Sequence, residues 1–156
     1  MTYKPNISAA FICIFFLSFN PSQASEYTSG LIEGKLRKCP DSPNCVSSEA
    51  LMIAPIKLPD TEPELAWSLL QQVINEQGGE IQEKSADYLL ATFTSAIFGF
   101  SDDVEARIDL KSKVIHLRSA SRVGYYDFGT NRRRLQEIIK IMQLKLYQYR
   151  EENTHK

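Results

Sequence analysis

The sequence lacks an excess of charge of either sign: 18 lysines and arginines stand against 19 aspartates and glutamates, a formal net charge of -1. That removes the basic field on which phosphate-backbone binding leans, so nucleic acid is not an expected partner. Histidine is scarce, with only His116 and His155, too few for the usual four-ligand zinc sets, and neither a metal nor another cofactor is implied. Phosphate-cradling glycine loops, serine nucleophile elbows and paired-histidine zinc motifs are missing, as are internal repeats and low-complexity tracts. What remains, at 156 residues with 43% hydrophobic and 10% aromatic side chains, is the composition of one ordinary globular domain.

The first 24 residues read as an address. A single basic residue, Lys4, precedes an apolar run from Ile7 to Phe19, followed by Asn20, Pro21 and the small-residue ending Ser22-Gln23-Ala24, the three-part pattern of a secretory signal peptide. The run is shorter than the roughly 18 to 20 residues of a membrane span. A lipid-modified cysteine is the competing reading, but Cys13 lies inside the run with no small residue directly before it. Cleavage after Ala24 leaves a chain with no transmembrane segment, expected in the periplasm or secreted.

Residues 25–60 carry many breakers (Gly30, Gly34, Pro40, Pro43, Pro55, Pro59) and read as an extended arm, with at most one short strand at Leu51–Ile56. Thr61-Glu62-Pro63-Glu64 predicts a capping box with Thr61 as N-cap, and the stripe Leu65, Ala66, Leu69, Leu70, Val73, Ile74 predicts a helix stopped by Gly78-Gly79. Strands are expected at 80–84, 88–94, 103–110 and 114–121. If Lys111-Ser112 makes a two-residue turn, Ile108 faces Ile115, Ala106 faces Leu117, Glu105 faces Arg118 and Arg107 faces His116. One face then carries Val104, Ala106, Ile108, Leu110, Ile115 and Leu117, the other Asp103, Glu105, Arg107, Asp109, His116 and Arg118. A second amphipathic helix is expected from near Asn131 to about Tyr149, with Leu135, Ile138, Ile139, Met142, Leu146 and Tyr149 on one side. The expectation is an α+β two-layer domain over 61–150, an antiparallel four-stranded meander flanked by two helices, with a short tail at 151–156.

Cys39 and Cys45 bracket a tight turn-forming segment, and in an oxidising compartment the simplest outcome is a disulfide, which at that loop size stabilises by roughly 2 kcal/mol. A redox thiol pair is the other reading, although the spacing is not Cys-x-x-Cys. Arg118 to Arg134 packs five arginines, one acid and three aromatics into one stretch, and Arg132, Arg133 and Arg134 oppose the helix macrodipole. Neutralisation within the protein accounts for this through Arg133 with Glu137, Asp127 nearby and Glu105 with Arg118. An anion site at a helix N-terminus flanked by arginines is the sharper reading. Asp103 and Glu105 on one face, with Asp102 on the other, read as a salt-bridged polar surface rather than an acid/base pair. Ser95 to Phe100 reads as a core plug or, if exposed beside Tyr125 and Tyr126, as an aromatic wall.

Cys39-Pro40-Asp41-Ser42-Pro43-Asn44-Cys45-Val46-Ser47-Ser48, Phe98-Gly99-Phe100-Ser101-Asp102-Asp103-Val104-Glu105 and Arg118-Ser119-Ala120-Ser121-Arg122-Val123-Gly124, with Asp127, Gly129 and Asn131, resemble the domain-of-unknown-function family 1499, found mainly in bacteria and also in plastids. The resemblance spans about Cys39 to the end of the final helix. It implies a single compact domain and carries no activity, ligand or catalytic residue.

The functional expectation is therefore a non-enzymatic envelope module. Arg118, Arg122, Asn131 and Arg132 receive an anionic group from a small molecule, lipid headgroup, cell-wall fragment or partner carboxylate, Asp127 orients the arginines, and Tyr125 and Tyr126 wall the site. The alternatives are an assembly factor presenting the same surface to an envelope protein, and a hydrolase using Asp103 or Glu105 as acid or base.

Overall fold

The computed structural model describes residues 29–58, 61–95 and 99–154; the leader at 1–24 lies outside them. In chain order, β1 (Leu31–Ile32) and β2 (Lys35–Leu36) form a small hairpin. They are followed by β3 (Cys45–Ser47), β4 (Ile56–Lys57), helix α1 (Pro63–Glu76), β5 (Glu80–Lys84), β6 (Tyr88–Thr94), β7 (Ser101–Asp109), β8 (Val114–Ser121) and helix α2 (Thr130–Thr154). The class is α+β.

Six strands, rather than four, make the main sheet, in the order β3-β8-β7-β6-β5, with β4 pairing β8 beyond the end of β3. Every pairing is antiparallel. In β7 and β8 the register is Ile108 to Ile115, Ala106 to Leu117, Glu105 to Arg118 and Arg107 to His116, as alternation of polarity requires. The connection differs from the two-residue expectation: pairing stops at Asp109 and Val114, and Leu110 to Lys113 form a wider turn. Asp109 builds it, its carboxylate accepting the backbone N–H groups of Lys111 and Ser112 and the Ser112 hydroxyl. Leu110 is consequently exposed instead of joining the apolar face.

The arm is not merely extended. It holds four short strands, β1 to β4, rather than at most one, and the strand expected at Leu51–Ile56 falls at Ile56–Lys57, because Leu51 to Ile53 turn back and Met52 N–H bonds the Ser47 carbonyl. Helix α1 begins one residue later than the capping box implies. Glu62, immediately before Pro63, is held extended (φ -59°, ψ 127°) and serves as N-cap without a side-chain cap bond; proline excludes the helical conformation from the residue before it. At the other end Gly78 N–H reaches Asn75 O and Gly79 N–H reaches Ile74 O, a Schellman pattern around Gly78 at φ +86°. Any side chain on Gly79 would collide with the Phe93 ring and Ile74.

Both helices lie on the apolar face. Ala66, Trp67, Leu70, Val73 and Ile74 of α1 and Leu135, Ile138, Ile139, Met142 and Leu146 of α2 enclose one core with Leu89, Ala91, Val104, Ala106, Ile115 and Leu117 of the sheet. Tyr149 lies outside it and is partly exposed. The opposite face is polar and also covered: Leu36 packs with Leu31, Tyr88 and Leu90, and the Gly30 N–H bonds a carboxylate oxygen of Glu105 at 2.7 Å.

Candidate functional site

Alternation along β7 sends the carboxylates of Asp102, Asp103 and Glu105 in two directions, and each meets an arginine. Asp102, on the helix side, accepts Arg134 Nη2 at 2.8 Å. Asp103, on the outer face, holds Arg122 through two parallel bonds, Nε to Oδ2 at 2.9 Å and Nη2 to Oδ1 at 2.8 Å. Thr92 joins this pair, donating its hydroxyl to Asp103 and accepting from Arg122, both at 2.9 Å. Glu105 is fully buried, paired with Arg118, and also accepts the Tyr88 hydroxyl at 2.9 Å. Burial, then the negative charge of Glu105, pushes the Tyr88 phenol far above its ordinary range. These pairs satisfy the carboxylates internally, which is the neutralising arrangement the alternating sequence implies.

Next along the polar face, Glu49 accepts Arg107 Nε at 2.9 Å and the Leu36 N–H at 3.1 Å. Ser48 Oγ receives the Leu117 N–H and lies 3.2 Å from His116 Nδ1. Burial, then the charge of Arg107, holds the His116 imidazole below its ordinary 6.5. Ser48 is itself buried, so this pair braces the sheet.

The cysteine segment closes on the start of α2. Cys39 and Cys45 are joined in a disulfide, and Asn44, just before Cys45, is buried. Its side-chain amide donates to the Gly124 carbonyl at 2.5 Å, while its own carbonyl accepts the Ser121 N–H and Asn131 Nδ2. Asn131, 0% exposed, also donates to Ser121 Oγ and accepts from Ser119 Oγ and Arg134 Nη1. The Arg134 guanidinium lies 4.7 Å from the centre of the Phe93 ring, adding a cation–π contact. Three separated motifs thus meet around two asparagines.

Asp127 does not orient arginines. Its carboxylate accepts the N–H groups of Gly129 (2.9 Å) and Asn131 (2.8 Å), occupying as a helix cap the place a bound anion would take. Arg118 and Asn131 are buried structural groups, not surface contacts. Arg122 is half exposed at the rim of a shallow, open hollow of about 340 Å³ shared with Ser29, Leu90 and Asp103.

What the structure leaves at the surface is the loop from Val123 to Phe128 and the next two arginines. Tyr125, Tyr126 and Phe128 are exposed, the last at 78%, and the Tyr126 and Phe128 rings meet edge to face at 5.0 Å. Phe128 sits at φ +55°, a costly conformation for a bulky side chain. Arg132 Nη1 donates to the Met52 carbonyl at 2.8 Å, and Arg133 Nη1 to the Phe128 carbonyl at 2.7 Å, with Nη2 on the Thr130 hydroxyl. Arg133 does not pair with Glu137, which pairs with Lys140. Among the described residues, neither Arg132 nor Arg133 meets a carboxylate.

Asn44, Phe128, Arg133 and Arg134 were absent from the residues singled out by sequence as contacts. Arg133 and Arg134 carried a signal, their place in a run of three arginines that opposes the helix macrodipole, whereas nothing local marked the burial of Asn44 or the backbone conformation of Phe128. Phe100 is exposed, whereas 96–98 of the expected aromatic connection lie outside the described residues. Among the described residues no three His, Cys, Asp or Glu side chains gather as metal ligands, and no helix is long and apolar enough to cross a membrane. Residues 35–142 match the model of a family described as a protein of unknown function (DUF1499). No curated protein and no solved structure matches the chain.

Proposed function

The chain belongs to the DUF1499 family of proteins of unknown function, and for this member of it we propose a non-enzymatic binding module that receives an anionic group beside Arg132 and Arg133, with Tyr125 and Tyr126 as its aromatic wall. One observation carries the reading. Arg118, Arg122 and Arg134 each have a carboxylate partner, while Arg132 and Arg133 reach only backbone carbonyls and a hydroxyl, so their charge is left for something from outside.

Export to the periplasm or beyond is part of the proposal. It is supported by the Ile7 to Phe19 run with its Ser22-Gln23-Ala24 ending and by the Cys39–Cys45 disulfide, which suits an oxidising compartment.

Titration of the isotope-labelled protein with inorganic phosphate tests the reading. Amide resonances from Tyr125 to Arg133 shift in the wild type and stay in place in Arg132→Gln/Arg133→Gln, which retains the native spectrum elsewhere. A wild-type spectrum indifferent to phosphate removes the proposal.

A further inference from the structure

The two unmatched arginines hold two loops that turn apolar side chains outward. Arg132 fastens to the carbonyl of Met52 and Arg133 to that of Phe128, and each carbonyl lies in or beside a residue of the same unusual kind. Leu51, next to Met52, has φ +58° and is 91% exposed; Phe128 has φ +55° and is 78% exposed. Left-handed backbone is disfavoured for leucine and phenylalanine, and solvent exposure of either gains nothing for folding. Val123, Tyr125 and Tyr126 add exposed apolar and aromatic area on the same loop. Asn44, bonded to the Gly124 carbonyl, and Asp127, capping α2, fix that loop at both ends. Strained backbone that persists under such bracing marks a surface selected for contact.

We propose that this end of the molecule docks on a membrane surface bearing anionic phospholipid headgroups, with Phe128, Tyr125, Tyr126 and Leu51 entering the interfacial layer and Arg132 and Arg133 meeting lipid phosphates. The inference rests on the anion-binding reading above and names the source of the anion. Charge complementarity selects the occupant: tyrosines suit the headgroup level of a bilayer, where one end of the ring is wet and the other apolar. Arginines without an acid of their own suit a negatively charged leaflet, each contributing about a fivefold gain in affinity.

Deuterium uptake of the full chain with phosphatidylglycerol/phosphatidylcholine vesicles, against phosphatidylcholine alone, decides the matter. Because Ile7 to Phe19 can itself partition into lipid, the readout is local uptake at 122–131 and 50–53, not total binding. The expected result is slowing of roughly tenfold or more on the anionic vesicles only. Arg132→Gln/Arg133→Gln needs roughly 25-fold more lipid for the same protection. Phe128→Gly, which relieves the left-handed backbone, raises Tm yet weakens the protection. Unchanged uptake, or equal slowing on both vesicles, overturns the inference. Phosphate-induced shifts with no vesicle protection would leave the anion site standing and identify a soluble ligand; absence of both removes site and membrane together.

Discussion

Asn131 donates its side-chain amide to the backbone carbonyl of Asn44, 2.9 Å away and 87 residues earlier in the chain. The bond joins the disulfide segment to the first turn of α2, and through Gly124 and Ser121 each asparagine also grips the loop between β8 and α2. The loop that presents Tyr125, Tyr126 and Phe128 is therefore positioned by a buried polar lattice together with its own Asp127, which caps α2.

Replacement of Asn131 by alanine removes four hydrogen bonds at a site closed to water. The stranded partners cost about 3 kcal/mol together, equivalent to a Tm drop of roughly 10 °C in a domain of this size. Thermal unfolding followed by circular dichroism reads this directly. A change under about 2 °C would show that Ser119, Arg134 and the Asn44 carbonyl find substitutes.

Glu105→Gln keeps acceptors for Tyr88 and Gly30 but takes away the charge that offsets the buried guanidinium of Arg118. Breaking such a pair from one side is expected to cost about 3 to 5 kcal/mol, and Glu105→Gln/Arg118→Met to recover part of it. Urea titrations of the two single variants and the double give the coupling. Additive losses would mean that the pair does not act as a unit.

His116 gives the fold a pH dependence in a defined window. Its folded-state affinity for protons is lowered by burial and by Arg107, so the unfolded chain binds more protons just below the ordinary value of 6.5, and stability falls as pH drops through that value. Tm measured between pH 7.5 and 5.5 is expected to decline in the wild type and to decline less in His116→Gln. Parallel declines would assign the effect to other groups.

The parts of this fold legible in sequence are those whose signal is local and repeated. Alternation over β7 and β8 admits one register, and the stripes of α1 and α2 admit one buried face each. Strands β3 and β4 are two or three residues long and exist because β8 offers them a partner, which no local pattern announces. Among candidate site residues, Arg118 and Asn131 looked like surface groups because their side chains are polar. Their burial depends on Glu105, Asn44 and Ser119 arriving from elsewhere in the chain. Tyr125, Tyr126 and Arg132 remain exposed, and Phe128 gained significance only once its backbone conformation was visible.

The main sheet ends in two margins unsuited to growth. On one side β5 is Glu80-Ile81-Gln82-Glu83-Lys84, with its pairing to β6 interrupted between Ile81 and Glu83; charges and an irregular ladder discourage a second chain from adding a strand there. On the other, the margin is divided between three residues of β3 and two of β4. A molecule that turns phenylalanine, tyrosine and leucine to solvent at one end thus offers little open backbone for self-association, so crowding of many copies on one surface need not seed fibres.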